Sequence, residues 1–407
     1  MKNILIIGAG DFQLPLVQRA SQYYNVLLAA PVIADMFRPY IKGSLLVDVR
    51  DKEKILAYAR ENEIVGVTTD QTDIAVRTVA YVAEQMGLPG IGYETGVLFT
   101  DKSLMRARLK ELGVKLLPNR TVSSLEEALD YYGEIGGDII IKPLDTQGSR
   151  GVQLCRSASE LEAKYEEAAR WSSSHQVLIE RCATGREFVV EGVSVDHEFA
   201  NACIGDTLYF DLPDAFAAKR RVFPTTAEDR LKQRVLDLNA RIIQGFGLKR
   251  GITHSEYIMD GNDIYLIETA ARGGGVFISS DLIHLSCGLD TEKFLLDIAV
   301  GAQKGLPDIL PQQCVCGYLA FYIPTGTVIS VKGVEDVLAL PYVHRNQLGK
   351  LRVGMVNGDG QTDKTSRLAL IVSAPDRRTF EARANTIREM LQVETMTSSG
   401  VKPLIWE

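Results

Sequence analysis

The stretch His254-Ser255-Glu256-Tyr257, followed by Ile264-Tyr265-Leu266-Ile267-Glu268-Thr269-Ala270-Ala271-Arg272-Gly273-Gly274-Gly275, decides how the rest of the chain is read. It forms two apolar runs around the turn Asp260-Gly261-Asn262. A connection that short makes two strands antiparallel neighbours. Each strand carries one carboxylate, Glu256 or Glu268, among hydrophobic residues. A lone buried carboxylate is costly, so such groups are paired or bound to a cation. Two facing acids, with an arginine and a glycine run just beyond, suit a magnesium–phosphate site. The plainer alternative is two acids on the solvent side of a sheet.

Working upstream, Ile139-Ile140-Ile141-Lys142-Pro143 puts a lysine at the end of a buried strand, where it needs an anionic partner. Asp145-Thr146-Gln147-Gly148-Ser149-Arg150-Gly151-Val152 follows, a turn rich in backbone N–H groups. Such turns can fold over phosphates, although the G-K-[ST] ending of a Walker loop is missing. Lys102 follows the helix N-cap Asp101 and taken alone reads as a solvated helix residue. Val177-Leu178-Ile179-Glu180 is an apolar strand ending in an acid, and Arg186-Glu187-Phe188-Val189-Val190-Glu191 follows Gly185. The segment between them can act as a hinge whose backbone meets an adenine edge.

At the N-terminus, Asn3–Ile7 runs into Gly8-Ala9-Gly10. The dinucleotide fingerprint G-x-G-x-x-G fails at its third glycine, which is Gln13, and Ala29-Ala30-Pro31 offers no acid for a ribose. The glycines are read as a tight strand-to-helix turn, with Gln13, Leu14 and Asp70 bordering a substrate cleft.

The 407 residues allow two or three domains, and a hydrophobic fraction of 46% allows a large core. The net charge of −7 argues against broad nucleic-acid binding, which rests on neutralising phosphates. The opening apolar run is too short for a signal peptide, and no stretch approaches the roughly 18 apolar residues of a membrane helix. The expectation is a cytoplasmic protein with no membrane partner. Six cysteines are scattered, and Cys314-x-Cys316 lacks the second half of a zinc site, so reduced thiols are expected.

Strand and helix alternate through the first third, which predicts a doubly wound parallel sheet. From about Pro311 the pattern turns strand-rich: Tyr318–Ile323, Thr327–Val331, Leu351–Val356 and Leu368–Val372, then a helix over Arg378–Leu391. The expected fold is a multidomain α/β and α+β protein: an α/β domain over 1–97, a central domain over 98–310 and a small α+β domain over 311–407. Residues 205–225, with Asp214, Lys219, Arg220 and Arg221, are expected to read the substrate, or else to be a solvated loop.

Taken together these segments resemble the ATP-grasp superfamily, in its carboxylate–amine ligase and biotin-carboxylase-like branch. The resemblance is carried by Ile4–Gly10 with Gln13–Leu16, Asp101-Lys102-Ser103, Ile141-Lys142-Pro143 with 147–152, Phe246-Gly247-Leu248 with His254-Ser255-Glu256, and Glu268 with Arg272-Gly273-Gly274. It implies an ATP-grasp fold with a lid over about 118–185, and ATP with Mg2+, or Mn2+ in its place. It implies Lys102 and Lys142 on the ATP phosphates, and Gly148, Ser149 and Gly151 in a phosphate-covering loop. It further implies Glu180, Arg181 and Cys182 at the adenine hinge, Glu187 on the ribose, and Glu256 and Glu268 on magnesium. Arg272 and Lys142 would be catalytic, with Arg272 and the glycines after it steadying the acyl phosphate and the substrate carboxylate.

The family reads Glu-x-Asn-x-Arg on the second metal strand, and here Ala270 stands in place of the asparagine. The implied reaction is activation of a small carboxylate as an acyl phosphate, then capture by an amine, with release of ADP and phosphate. A bicarbonate-activating carboxylase or carbamoyl-phosphate-synthase-like subunit is the first alternative. A non-catalytic ATP-binding module, suggested by Ala270, is the second. The resemblance leaves a homodimer open.

Overall fold

The computed structural model describes residues 1–146, 148–212, 216–358 and 366–407. The N-terminal sheet is parallel, in the order Gly43–Leu46, Asn25–Ala30, Asn3–Ile7, Gly66–Thr68. Asn3–Ile7 and Asn25–Ala30 are buried on both faces and so read as continuous apolar runs. The carboxyl ends of Asn3–Ile7 and Gly66–Thr68 bring Gly8–Gln13 and Asp70 together. Gln13 is the reason the third glycine is missing. Its Oε1 accepts the Gly10 N–H at 2.8 Å and its Nε2 donates to the Asp70 carbonyl at 2.7 Å. The side chain thus closes the glycine turn from inside.

A second, antiparallel sheet runs Asn119–Val122, Val177–Arg181, Ile139–Pro143, Gln153–Cys155. Helices Leu125–Ile135 and Ala158–Trp171 cover one face through Ala128, Leu161, Tyr165 and Ala168. Each is capped by a serine, Ser124 or Ser157, that accepts an N–H from the first turn. The other face is left for the cleft.

The third sheet has eight strands, in the order Asp263–Ala270, Gly251–Asp260, Arg186–Val195, Glu198–Tyr209, Ala218–Phe223, Val315–Tyr322, Arg367–Ala374, Val343–Asn346. It runs across the boundary expected at 310/311, because Ala218–Phe223 pairs with Val315–Tyr322. Part of the 205–225 stretch, expected as a substrate-reading loop, therefore belongs to strands, and Asp214 lies outside the described residues. Leu351–Val356 is not the strand its apolar ends suggest. A turn from Leu348 to Leu351 and the positive φ of Gly354 break it, and the strand that forms among the described residues is Val356–Asn357. Helix Thr291–Ala299, which had no clear sequence signal, is capped by Asp290 and packs Phe294, Leu295 and Leu296 into the main core.

Among the described residues no helix is long and apolar enough to cross a membrane, and all six cysteines are free.

Candidate active site

A cleft with a cavity volume of about 320 Å³ separates the small sheet from the hairpin Gly251–Asp260/Asp263–Ala270. The hairpin is built as its alternation predicts, with Gly261 at φ +60° in the turn. Glu256 and Glu268 are direct cross-strand partners, and a bulge follows Glu256. Lys102, Lys142, Ser149, Glu180, Arg181, Cys182, Glu187, Glu256 and Glu268 all line the cleft. Gly148, Ser149 and Gly151, with φ of +64°, +55° and +71°, form the turn beside it, and Gln147 lies outside the described residues.

The cations come from two segments. Asp101 caps the Lys102–Glu111 helix and so fixes where Lys102 leaves it. Lys102 Nζ sits 3.1 Å from Glu268 Oε1 and donates to the Thr146 carbonyl at 2.8 Å. Lys142 leaves its strand just before Pro143 and donates to Glu180 Oε2 at 2.7 Å. Glu180 is also held by Arg106, through Nε at 2.6 Å and Nη2 at 3.0 Å. Burial works to raise the Glu180 carboxyl, but the Arg106 and Lys142 charges prevail and bring it down to about 2. Glu180 was expected at the adenine hinge. Its side chain joins the cation cluster, a buried carboxylate held between two cations. The hinge that follows is anchored: Arg181 pairs with Asp260 at 2.6 Å and the Cys182 N–H goes to the Asp138 carbonyl at 2.8 Å.

Glu187 accepts the Tyr209 hydroxyl at 2.6 Å, and burial pushes its carboxyl up to about 7. Glu256 sits deeper. It is bound by the Arg221 guanidinium, and His254 Nε2 lies 3.0 Å away. Burial alone would raise its carboxyl, but the Arg221 charge holds it well below the usual carboxylate range. His254 Nδ1 pairs with Glu191, whose Oε2 takes the Gly274 N–H at 3.1 Å.

Arg272 lies beyond the end of the strand Asp263–Ala270. Its guanidinium does not line the cleft but grips Asp73 of the N-terminal domain, Nε to Oδ1 at 3.0 Å and Nη2 to Oδ2 at 2.7 Å. A bidentate carboxylate is the strongest partner a buried guanidinium can find here. The backbone beyond it is also tied to the N-terminal segment, Gly273 N–H on Asp70 at 3.1 Å and Phe277 N–H on Gln71 at 3.0 Å.

Sequence reasoning gave no role to Arg106, Glu191, His254, Asp73 or Tyr209. Glu191 carried a signal, since it lies on the same strand face as Glu187. Asp73 and Tyr209 carried none, because their partners are distant in sequence.

Residues 101–306, from Lys102 through the hairpin, match the family model for the carbamoyl-phosphate synthase L chain, ATP binding domain. The chain belongs to that family, within the ATP-grasp superfamily. It is 26% identical over 289 residues to the alanine–anticapsin ligase of Bacillus subtilis, which covers 65% of this chain. The match spans 60% of that ligase's own length. It is 25% identical over 338 residues to the N-terminal section of the carbamoyl phosphate synthase large chain of Aquifex aeolicus, covering 74% of this chain and 58% of the relative. Among solved structures, an L-amino acid ligase from Bacillus licheniformis superposes with a TM-score of 0.83 at 19% identity, covering 98% of this chain and 99% of that one. The biotin carboxylase domain of the Hydrogenobacter thermophilus 2-oxoglutarate carboxylase superposes with a TM-score of 0.76 at 17% identity, covering 99% of this chain and 91% of that one. These likenesses establish an ATP-grasp fold.

The ATP-grasp cleft fits a nucleotide with a divalent cation in part. Lys102 and Lys142 are two cations with acids to exchange for phosphates. Glu268 is half-open to the cleft and offers a carboxylate oxygen, which magnesium prefers. Glu256 is already neutralised by Arg221 and does not fit as a free donor.

Proposed function

We propose that this chain is an ATP-dependent ligase that activates a small carboxylate as an acyl phosphate and joins it to an amine, releasing ADP and phosphate. The observation that carries this reading is the meeting of Lys102, Lys142 and Glu268 across one cleft, each from a different segment. A carboxylate is a poor electrophile because oxide is a poor leaving group. Transfer of the γ-phosphoryl group converts that oxygen into phosphate, and the amine then displaces it. The approach of anion to anion demands positive charge, which Lys102 and Lys142 bring to the phosphates. A cation on Glu268, Mg2+ or Mn2+, would add charge neutralisation at the phosphate oxygens. The 148–151 turn shields the labile intermediate from water.

The names of the alanine–anticapsin and L-amino acid ligases point to amino acids as the acid and amine. ATP dependence and free thiols fit the cytoplasm. Purified protein is screened for ADP release with pairs of amino acids, with hydroxylamine present to trap the activated acyl group. Amino-acid-dependent ADP release with hydroxamate is the expected result, and its absence across the screen defeats the reading. Bicarbonate activation is a second reading, favoured by the match to the carbamoyl phosphate synthase large chain. It predicts ATPase activity that depends on bicarbonate rather than on amino acids.

A further inference from the structure

Of the two acids that face each other on the hairpin, one has a face left for a cation. Among the described residues no group of three or more metal-ligating side chains comes together. Glu268 lies at the cleft wall, its side chain 39% exposed, with Lys102 at 3.1 Å as its movable partner. Glu256 is held by Arg221 on one side and His254 on the other. Ala270, two residues beyond Glu268 on the same strand face, has no donor atom. Its cross-strand partner His254 has both ring nitrogens engaged: Nδ1 with Glu191, and Nε2 with Arg221 Nη1 at 2.8 Å and Glu256.

For a second ion to use Glu256, Arg221 would have to let go. Arg221 is largely buried on the interior strand Ala218–Phe223, its side chain 12% exposed, and its Nε has no hydrogen-bond partner among the described residues. Taking away its carboxylate would leave a buried guanidinium without a counter-charge, the costly half of a broken ion pair. A guanidinium cannot escape by losing its proton, as a lysine can. The pair Arg221–Glu256 is thus more stable closed than opened around a metal.

We propose that Arg221 takes the place of a second metal ion in this chain. The site binds one divalent cation, through Glu268, and the guanidinium fixed on Glu256 is the second positive charge. The inference rests on the nucleotide-binding reading above and deepens it.

The test counts metal rather than turnover. Full-length protein is saturated with a non-hydrolysable ATP analogue, whose binding is measured by calorimetry, and titrated with Mn2+ followed by electron paramagnetic resonance. One Mn2+ per chain is expected. Glu268→Gln should weaken Mn2+ binding at least tenfold, and Glu256→Gln should change it less than threefold with the count still one. Arg221→Met frees Glu256 and should admit a second Mn2+; if that variant does not fold, the Glu256→Gln comparison decides. Two Mn2+ in the unmodified protein with nucleotide bound, or a tenfold loss in Glu256→Gln, overturns this inference and leaves the ligase reading standing. Calorimetry showing no nucleotide binding overturns both.

Discussion

Glu292 opens the Thr291–Ala299 helix with no ion-pair partner among the described residues. Burial, and then the nearby charges of Asp70, Asp281 and Asp290, push its carboxyl up to about 8. Its ordinary value is 4.5, so between these limits the folded chain holds a proton that the unfolded chain releases. The contribution of Glu292 to stability therefore falls as pH rises through that window and is constant below it. Glu292→Gln mimics the neutral acid. It should raise the melting temperature at pH 8 by about 2–4 °C and leave it nearly unchanged at pH 4.5. Equal shifts at both pH values would show that the carboxyl is not held neutral. Lys142 belongs to the same scale. Lys142→Ala should weaken ATP binding at least tenfold by calorimetry with the circular dichroism spectrum unchanged, since Arg106 still neutralises Glu180. An unaltered affinity removes Lys142 from the phosphates.

At the scale of elements, the hairpin is positioned by Gly185, just before the start of the strand beside it. A Cβ built on Gly185 would lie 1.9 Å from the Met259 carbonyl oxygen, a backbone atom that cannot rotate away. Met259 is paired in register with Arg186, so the clash would push the hairpin off its neighbouring strand. Gly185→Ala should lower unfolding free energy by about 3 kcal/mol in urea titration. It should also weaken nucleotide binding, because Glu268 moves with the strand. A loss below about 0.5 kcal/mol, the range of neutral surface changes, would mean that the approach is looser than described.

At the scale of the whole molecule, the N-terminal domain is clamped to the hairpin's exit by Arg272–Asp73, with Gly273 on Asp70 and Phe277 on Gln71 beside it. Val276, Phe277 and Gln71 all hold positive φ, a strain that the surrounding contacts must enforce. Asp73→Ala leaves a largely buried guanidinium unpaired. It should cost about 3 kcal/mol and separate unfolding of the N-terminal sheet from the rest as a distinct transition. A single transition at the original midpoint would show that Arg272 does not couple the two parts.

The local devices of this chain were legible one by one in its residues. The hairpin showed in its alternation and glycine turn, Lys142 in the proline that ends its strand, and the Lys102 helix in its Asp101 cap. Each depends on neighbours a few positions away, so composition and spacing suffice. The pairings that distribute charge were not legible: Arg221 with Glu256, Glu180 with Arg106 and Lys142, and Arg272 with Asp73. A carboxylate in a sequence shows that it needs a partner but not which cation reaches it first. That is settled by which strands lie side by side and how deeply each is buried. The sequence by itself determined the hairpin that carries both acids, the capped helix that carries Lys102 and the strand that carries Lys142. Only the tertiary structure decided which acid is left open to the cleft and which is closed by an arginine, because the ordering of sheets sets that competition.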